Sequence, residues 1–372
     1  MQGYAAELVP SWTALDLEFS GQAAVLGFCA AAAVAPPPGF EISSIIVRSA
    51  QGEVVGASPV FRTTYRLDTS LPLALRRPVG WIERLFPRMV TVPLLGIGSP
   101  VMDRCSVGFQ AGASVAERVR TFSTMVEALE GAAHSSGVGL VAVKDFGDGE
   151  ASWSAEVLRS RGYSKMASLP VAALDLPFAN VDEYLASLSA SVRQDLRRKV
   201  RKSAASVRFT ECSGVTGIEA ELAHLYEETR TNAKGDYGNF DALSPRYVEH
   251  VLDTARDGAR VLLGWVGDTL ASYSLMLVGP DCAYAHQIGM RYPLARENNL
   301  YFLNWLAAVR FCIERGIRRL EFGQTSYPLK VRLGCRLEPS WIYFRHRLRP
   351  VNAALGYAAP MFGFDRMEQG SA

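Results

Sequence analysis

No Lys, Arg or His precedes Arg48 in this chain of 372 residues. The apolar run AAVLGFCAAAAVA at 23–35 therefore lacks the positive flank of a secretory signal. With 13 residues before Pro36, Pro37 and Pro38 end it, the run is too short to cross a bilayer. It reads as a buried helix, and no transmembrane segment is expected. The six cysteines hold no Cys-x-x-Cys pair and the five histidines no His-Glu-x-x-His spacing. This argues against a zinc site, against any other metal and against a disulfide framework. The cysteines then serve as small core hydrophobes, and a reducing cytoplasm is the expected compartment. A surplus of one charge is missing too: 39 Lys+Arg against 37 Asp+Glu leave +2. No field of the whole molecule attracts nucleic acid, DNA is not an expected partner, and any anion-binding surface must come from local clustering.

What is present is a core-forming balance, 49% hydrophobic and 20% charged, in a chain long enough for about two domains. One order of elements occurs twice. In the first half a hairpin (FEISSIIVR, the turn SAQGE, VVGASPVFRTTY, 40–64) leads through an irregular Pro/Gly-rich stretch with PVG at 78–80 and LLGIGSP at 94–100. A helical period at 115–137 and a strand at 138–147 follow. The second half gives strands at 260–266, 269–278 and 282–290, a helix at 299–316 and a strand at 317–324. Two halves, each with an antiparallel meander, a helix and a final strand, predict an α+β fold made by duplication rather than a doubly wound parallel sheet.

Between the halves lies the most charged segment, 181–209. Val192, Leu196 and Val200 recur every four residues as one apolar stripe, with Arg193, Arg197 and Arg201 on one flank. Six basic residues against one acid between 193 and 202 exceed what solubility requires. The helix is expected to dock by its stripe and to present Arg193, Arg197 and Arg201 to a phosphate-bearing substrate or RNA.

The segments VRQDLRRKVRKSAASVRF, HLYEETRTN (224–232), YAHQIGM, LYFLNWLAAVRFCIERG and FGQTSYPLKVRLGC together resemble the Fem-type branch of the GNAT acyltransferase superfamily, whose members are tandem-GNAT proteins. The resemblance spans roughly 155–345 and extends to the first half by order of elements only. It implies two tandem GNAT-like domains, each a mixed, mostly antiparallel sheet flanked by helices. These would be a degenerate one at 1–165 and a catalytic one at 166–346, with a tail at 347–372. It also implies acyl transfer to a small-molecule or peptide amine, from acyl-CoA in some members and from aminoacyl-tRNA in others, with no tightly bound cofactor. A non-catalytic binding protein is the remaining alternative.

The family carries a lysine after an aromatic residue just past the last core strand; Lys330 and Tyr327 fit, although two residues separate them. Direct attack of an amine on a thioester builds charge on the carbonyl oxygen, which a fixed cation such as Lys330 would stabilise. It needs no Gly-x-Ser-x-Gly elbow, and none is present. Candidates for the base are Asp236 in the polar loop NAKGDYGNFD, His286 and Tyr284, with Tyr237 and Gln324 placed at the substrate. Ordinary GNAT enzymes hold the CoA pyrophosphate on a glycine-rich loop before a helix. Here RYPLARENNLYF (291–302) has no glycine. Arg291, Arg296 and an Asn298–Asn299 cap remain as side-chain alternatives, and an aminoacyl-tRNA donor stays open.

Overall fold

The computed structural model describes residues 4–9, 18–19, 32–66, 91–232 and 243–362. In chain order these form β1 (Ala5–Val9), β2 (Glu18–Phe19), β3 (Phe40–Arg48), β4 (Val54–Arg66), β5 (Thr91–Ile97), β6 (Gly108–Phe109), α1 (Val115–Ser135), β7 (Leu140–Gly147), α2 (Asp148–Ser160) and β8 (Ser164–Ala167). Next come β9 (Val171–Asp175), α3 (Val181–Ser187), α4 (Ala190–Ser203), β10 (Val207–Cys212), α5 (Glu219–Asn232), α6 (Tyr247–Ala255), β11 (Ala259–Val266), β12 (Thr269–Val278) and β13 (Cys282–Met290). The chain closes with α7 (Leu294–Glu297), α8 (Leu300–Glu314), β14 (Arg319–Glu321), α9 (Tyr327–Arg332), β15 (Arg336–Glu338), β16 (Ser340–His346) and α10 (Arg349–Phe362).

Two compact units result, and the fold is α+β, with two mixed sheets flanked by helices. The first unit takes Met1–Ser20, Pro38–Pro170 and the chain from Pro339 onward. Its sheet runs β1-β3-β4-β5-β7-β16-β8, with β2 and β6 paired beside β4. Only β5 and β7 pair in parallel among its described strands. Ser114 starts α1 with a capping box: its hydroxyl accepts the Glu117 N–H at 3.3 Å and the Glu117 carboxylate accepts the Ser114 N–H at 2.8 Å. From there Phe122, Met125, Val126 and Leu129 recur at helical spacing and are fully buried on the sheet.

The second unit takes Val171–Glu338, with a sheet in the order β10-β11-β12-β13-β14-β9-β15. β13 and β14 are its parallel pair. The core is built on α8, whose Leu300, Trp305, Val309 and Cys312 are buried against strands and α3. On the other face, a Cβ on Gly289 would stand 2.2 Å from the Tyr273 ring and 2.9 Å from the Tyr226 nitrogen of α5. Glycine is what lets α5 approach β13 so closely.

Several sequence-based boundaries move. LLGIGSP, read as irregular, contains most of β5, because a strand buried on both faces shows no alternation. The strand expected at 317–324 is only three residues long. The partition at 165/166 and 346/347 shifts as well: β16, expected in the second domain, lies between β7 and β8 of the first sheet, and the tail helix α10 packs in that same unit, where Asn352 donates to the Gly162 carbonyl at 3.1 Å. Strand partners chosen across such sequence separations leave no local pattern to read. Most of the helix expected at 23–35, and the PVG stretch, lie outside the described residues.

Candidate active site

The parallel pairing of β13 with β14 covers only Cys282–Arg319, Ala283–Leu320 and Tyr284–Glu321. β13 continues to Met290, while the chain after Glu321 turns to β9: the Phe322 N–H donates to the Ala172 carbonyl at 2.8 Å and the Ala172 N–H to Gly323 at 3.0 Å. The two strands therefore part and leave a wedge along β13. At its mouth the β12–β13 register shifts: Leu275 faces Gln287 but Met276 faces Ala285, which makes His286 the extra residue of a bulge. A bulge re-aims side chains and interrupts the ladder locally. Gln287, 7% exposed, leaves its Oε1 with no hydrogen-bond partner beside this interruption.

His286 lies against α6, its Nε2 3.1 Å from the Tyr247 hydroxyl. Burial pushes its imidazole down to about 4, so the ring is neutral near pH 7. With Tyr247 as donor the one acceptor nitrogen of the neutral ring is already engaged. This geometry suits positioning better than proton abstraction. Tyr284 stands two residues earlier at the last paired position, and Tyr327 is buried at the start of α9. Asp236 and Tyr237 lie outside the described residues.

Lys330 departs most from expectation. YPLKVRLG is not an extended strand exit but the short helix α9, with Pro328 in its first turn, where proline costs no hydrogen bond. Lys330 is 5% exposed, and its Nζ donates to the carbonyls of Phe322 (2.6 Å), Gly323 (3.2 Å) and Gln324 (2.7 Å). An ammonium has three N–H donors and all three meet backbone. Lys330 thus clamps the turn after β14, the wall of the wedge. Gln324 enters through its backbone carbonyl in this clamp. Arg332, on an exposed position of the same helix, takes no part.

Further side chains that sequence reasoning missed hold the same wall. The Trp305 indole stacks on Phe322 with centroids 3.4 Å apart and donates to the Tyr184 hydroxyl at 2.8 Å; that hydroxyl donates to the Leu333 carbonyl at 2.8 Å. Asn304 ties α8 to β12 instead: it donates to Ser272 at 2.9 Å and accepts from Ser274 at 3.1 Å, all three buried. One asparagine inside LYFLNWLAAV was the available clue, since a lone amide on an apolar helix must find partners.

Between β13 and α8, Arg291, Arg296 and Asn298 of the expected phosphate ligands are engaged, although the buried Arg291 Nε itself has no hydrogen-bond partner among the described residues. Arg291 pairs with Glu221 and approaches Glu228 at 3.9 Å. Arg296 donates to Asn232 at 3.2 Å and lies over the Tyr292 ring. Asn298 accepts from Ser206 at 3.1 Å, and Asn299 adopts φ 54° at the start of α8 without a side-chain cap bond. The first-turn N–H groups of Phe302 and Leu303 go to the Asn299 carbonyl. On α4, Arg193 donates to the carbonyls of Ala186 and Leu188, closing α3, whereas Arg197 and Arg201 are exposed. No cluster of metal-ligating side chains occurs among the described residues.

Residues 190–331, from α4 to α9, match the family described as Acetyltransferase (GNAT) domain. This segment, under half of the chain, is similar to GNAT acetyltransferase domains. The chain is 25% identical over 320 residues to a protein of Mycobacterium tuberculosis named 8-amino-7-oxononanoate synthase 2, which covers 82% of this chain. The chain spans only 40% of that relative. Among solved structures, FemX has a TM-score of 0.56 at 11% identity, covering 91% of this chain and all of its own. The C-terminal domain of a lysylphosphatidylglycerol synthetase from Agrobacterium fabrum has a TM-score of 0.51 at 14% identity, with 80% and 84% covered. At these identities the likeness is one of fold. No helix among the described residues is long and apolar enough to cross a membrane.

Proposed function

We propose that the chain is an N-acyltransferase in which an amine attacks the carbonyl of an acyl-CoA directly: the C–N bond forms, the C–S bond breaks, and the departing CoA thiolate takes up the proton that the amine loses. The observation that carries this reading is the wedge where β13 and β14 part, with the bulge at His286 on one wall and the Lys330-clamped turn on the other. Such a wedge admits an extended acyl thioester along a strand edge. No side-chain nucleophile is required.

Gln287 and the neutral His286 keep the wall beside the bulge uncharged. Neither group supplies the thioester's activation alone. Orientation of two reactants in one wedge is the main contribution asked of the protein.

An aminoacyl-tRNA donor is the second reading, favoured by one observation: Arg291 and Arg296, the cations expected to grip a pyrophosphate, are engaged by Glu221 and Asn232. The fold likeness to a lysylphosphatidylglycerol synthetase domain and to FemX agrees with it. Native mass spectrometry of the full chain with acetyl-CoA, a long-chain acyl-CoA and charged tRNA tests both. A complex with a thioester and transfer to an added amine supports the first reading; a complex with charged tRNA alone replaces it with the second. Binding of neither would leave a GNAT fold without transferase activity.

A further inference from the structure

We propose that the groove between α3, α4 and α8 is a phosphate-recognition site that takes the nucleotide end of the acyl donor. The groove encloses about 780 Å³, within the range of small-ligand sites. Arg197 and Arg201 reach it from α4 and Arg310 from α8. All three are exposed, and none forms a hydrogen bond or ion pair among the described residues. Their neighbours behave differently: Arg198 is held by Asp195, Arg291 by Glu221 and Arg315 by Glu211.

Two acids, Asp182 and Glu314, also line the groove. Glu314 stands four residues after Arg310 on α8, a spacing at which helix ion pairs form, yet the pair is not made. Three guanidinium groups are thus left for an outside anion, and their planar forks suit phosphate oxygens. Gln194 adds an amide on the face of α4 that carries both arginines. Leu185, Val200, Leu306 and Ile313 form apolar walls between the cations. Phosphate contacts beside an apolar wall describe a nucleotide better than a bare inorganic anion.

Between β13 and α8 the Arg291 and Arg296 side chains are engaged by Glu221 and Asn232, and the unpaired guanidinium groups of this groove offer the phosphates of the donor another anchor. The identity of the ligand rests on the acyl-transfer reading. The anion site does not. CoA and the 3′ end of a tRNA share this chemistry, an adenosine bearing several phosphate groups.

The test is a titration of the full chain with adenosine 3′,5′-bisphosphate, with CoA and with an RNA minihelix ending in CCA. Arg197→Glu, Arg201→Glu and Arg310→Glu are compared with Lys202→Glu, which is on α4 but outside the groove. Each groove variant should weaken binding of the true donor's probe about tenfold or more, as expected for loss of a charge-assisted hydrogen bond. Lys202→Glu should not, and melting temperatures should stay constant. If the minihelix is the ligand, each arginine removed should also lower the salt slope of log Kd by about one. Binding of CoA and the bisphosphate but not of the minihelix assigns a thioester donor. Probes that bind the wild type and all three groove variants equally overturn the proposal, as does failure of every probe to bind the wild type. Arginine-dependent binding without acyl transfer from any donor would keep the site and discard the transferase reading.

Discussion

The three carbonyl oxygens around Lys330 belong to consecutive residues, Phe322, Gly323 and Gln324. A turn whose carbonyls converge needs a cation or a set of N–H groups at its centre. Lys330→Ala leaves them facing one another in a buried place, and we expect a loss of roughly 3 kcal/mol or more from charge-assisted bonds. Lys330→Arg should rescue little, because a planar fork cannot point donors at three convergent oxygens. Denaturant unfolding checks this: wild-type midpoints for Lys330→Ala would show that the clamp is dispensable. His286 gives a pH signature. Its folded value lies near 4 because of burial, below the ordinary 6.5. Its contribution is complete above about pH 6.5 and is lost as pH falls towards 4, by up to about 3 kcal/mol. His286→Gln should flatten that part of the stability profile; parallel profiles for variant and wild type would refute the assignment. Both roles were hidden in the sequence, where a lysine that clamps backbone and one that meets substrate are the same letter.

At the scale of elements, α4 separates affinity from stability. Leu196 is 1% exposed within the apolar stripe, so Leu196→Ala should cost about 2–5 kcal/mol. Charge changes on its exposed flank should cost little. This stripe was legible because a period of four apolar residues survives in any context. So were the β11–β12–β13 meander and α8, whose alternation and turns are local. The short α9 was not: its Tyr-Pro-Leu-Lys reads equally as a turn, and what makes it helical is the tertiary clamp. The Tyr184 hydroxyl tests how α3, α8 and the end of α9 hold together. Tyr184→Phe leaves both the Trp305 N–H and the Leu333 carbonyl without that partner, and a cost of about 1–3 kcal/mol is expected. An unchanged melting temperature would mean that the stacked Trp305–Phe322 pair suffices.

At the scale of the whole molecule, the order of elements along the chain and their distribution between units differ. All seven strands of the second sheet fall between Val171 and Glu338, but the first sheet receives β16 only after the second is complete. The duplicated pattern of meander, helix and final strand was visible in the sequence; the return of the chain was not, because SWIYFRH reads as a strand for either sheet. β16 lies between β7 and β8 rather than at an edge. Cutting the chain after Glu338 therefore removes an interior strand from the first unit and leaves the second with every strand it had. Such a truncation should expose the ladder groups of β7 and abolish amide protection in β5, β7 and α1, while protection in β11, β12 and α8 persists. Hydrogen exchange read by mass spectrometry distinguishes the cases. Retained protection in β7 would show that the first unit folds without the returning strand, whereas simultaneous loss in β12 would show that the two units unfold together.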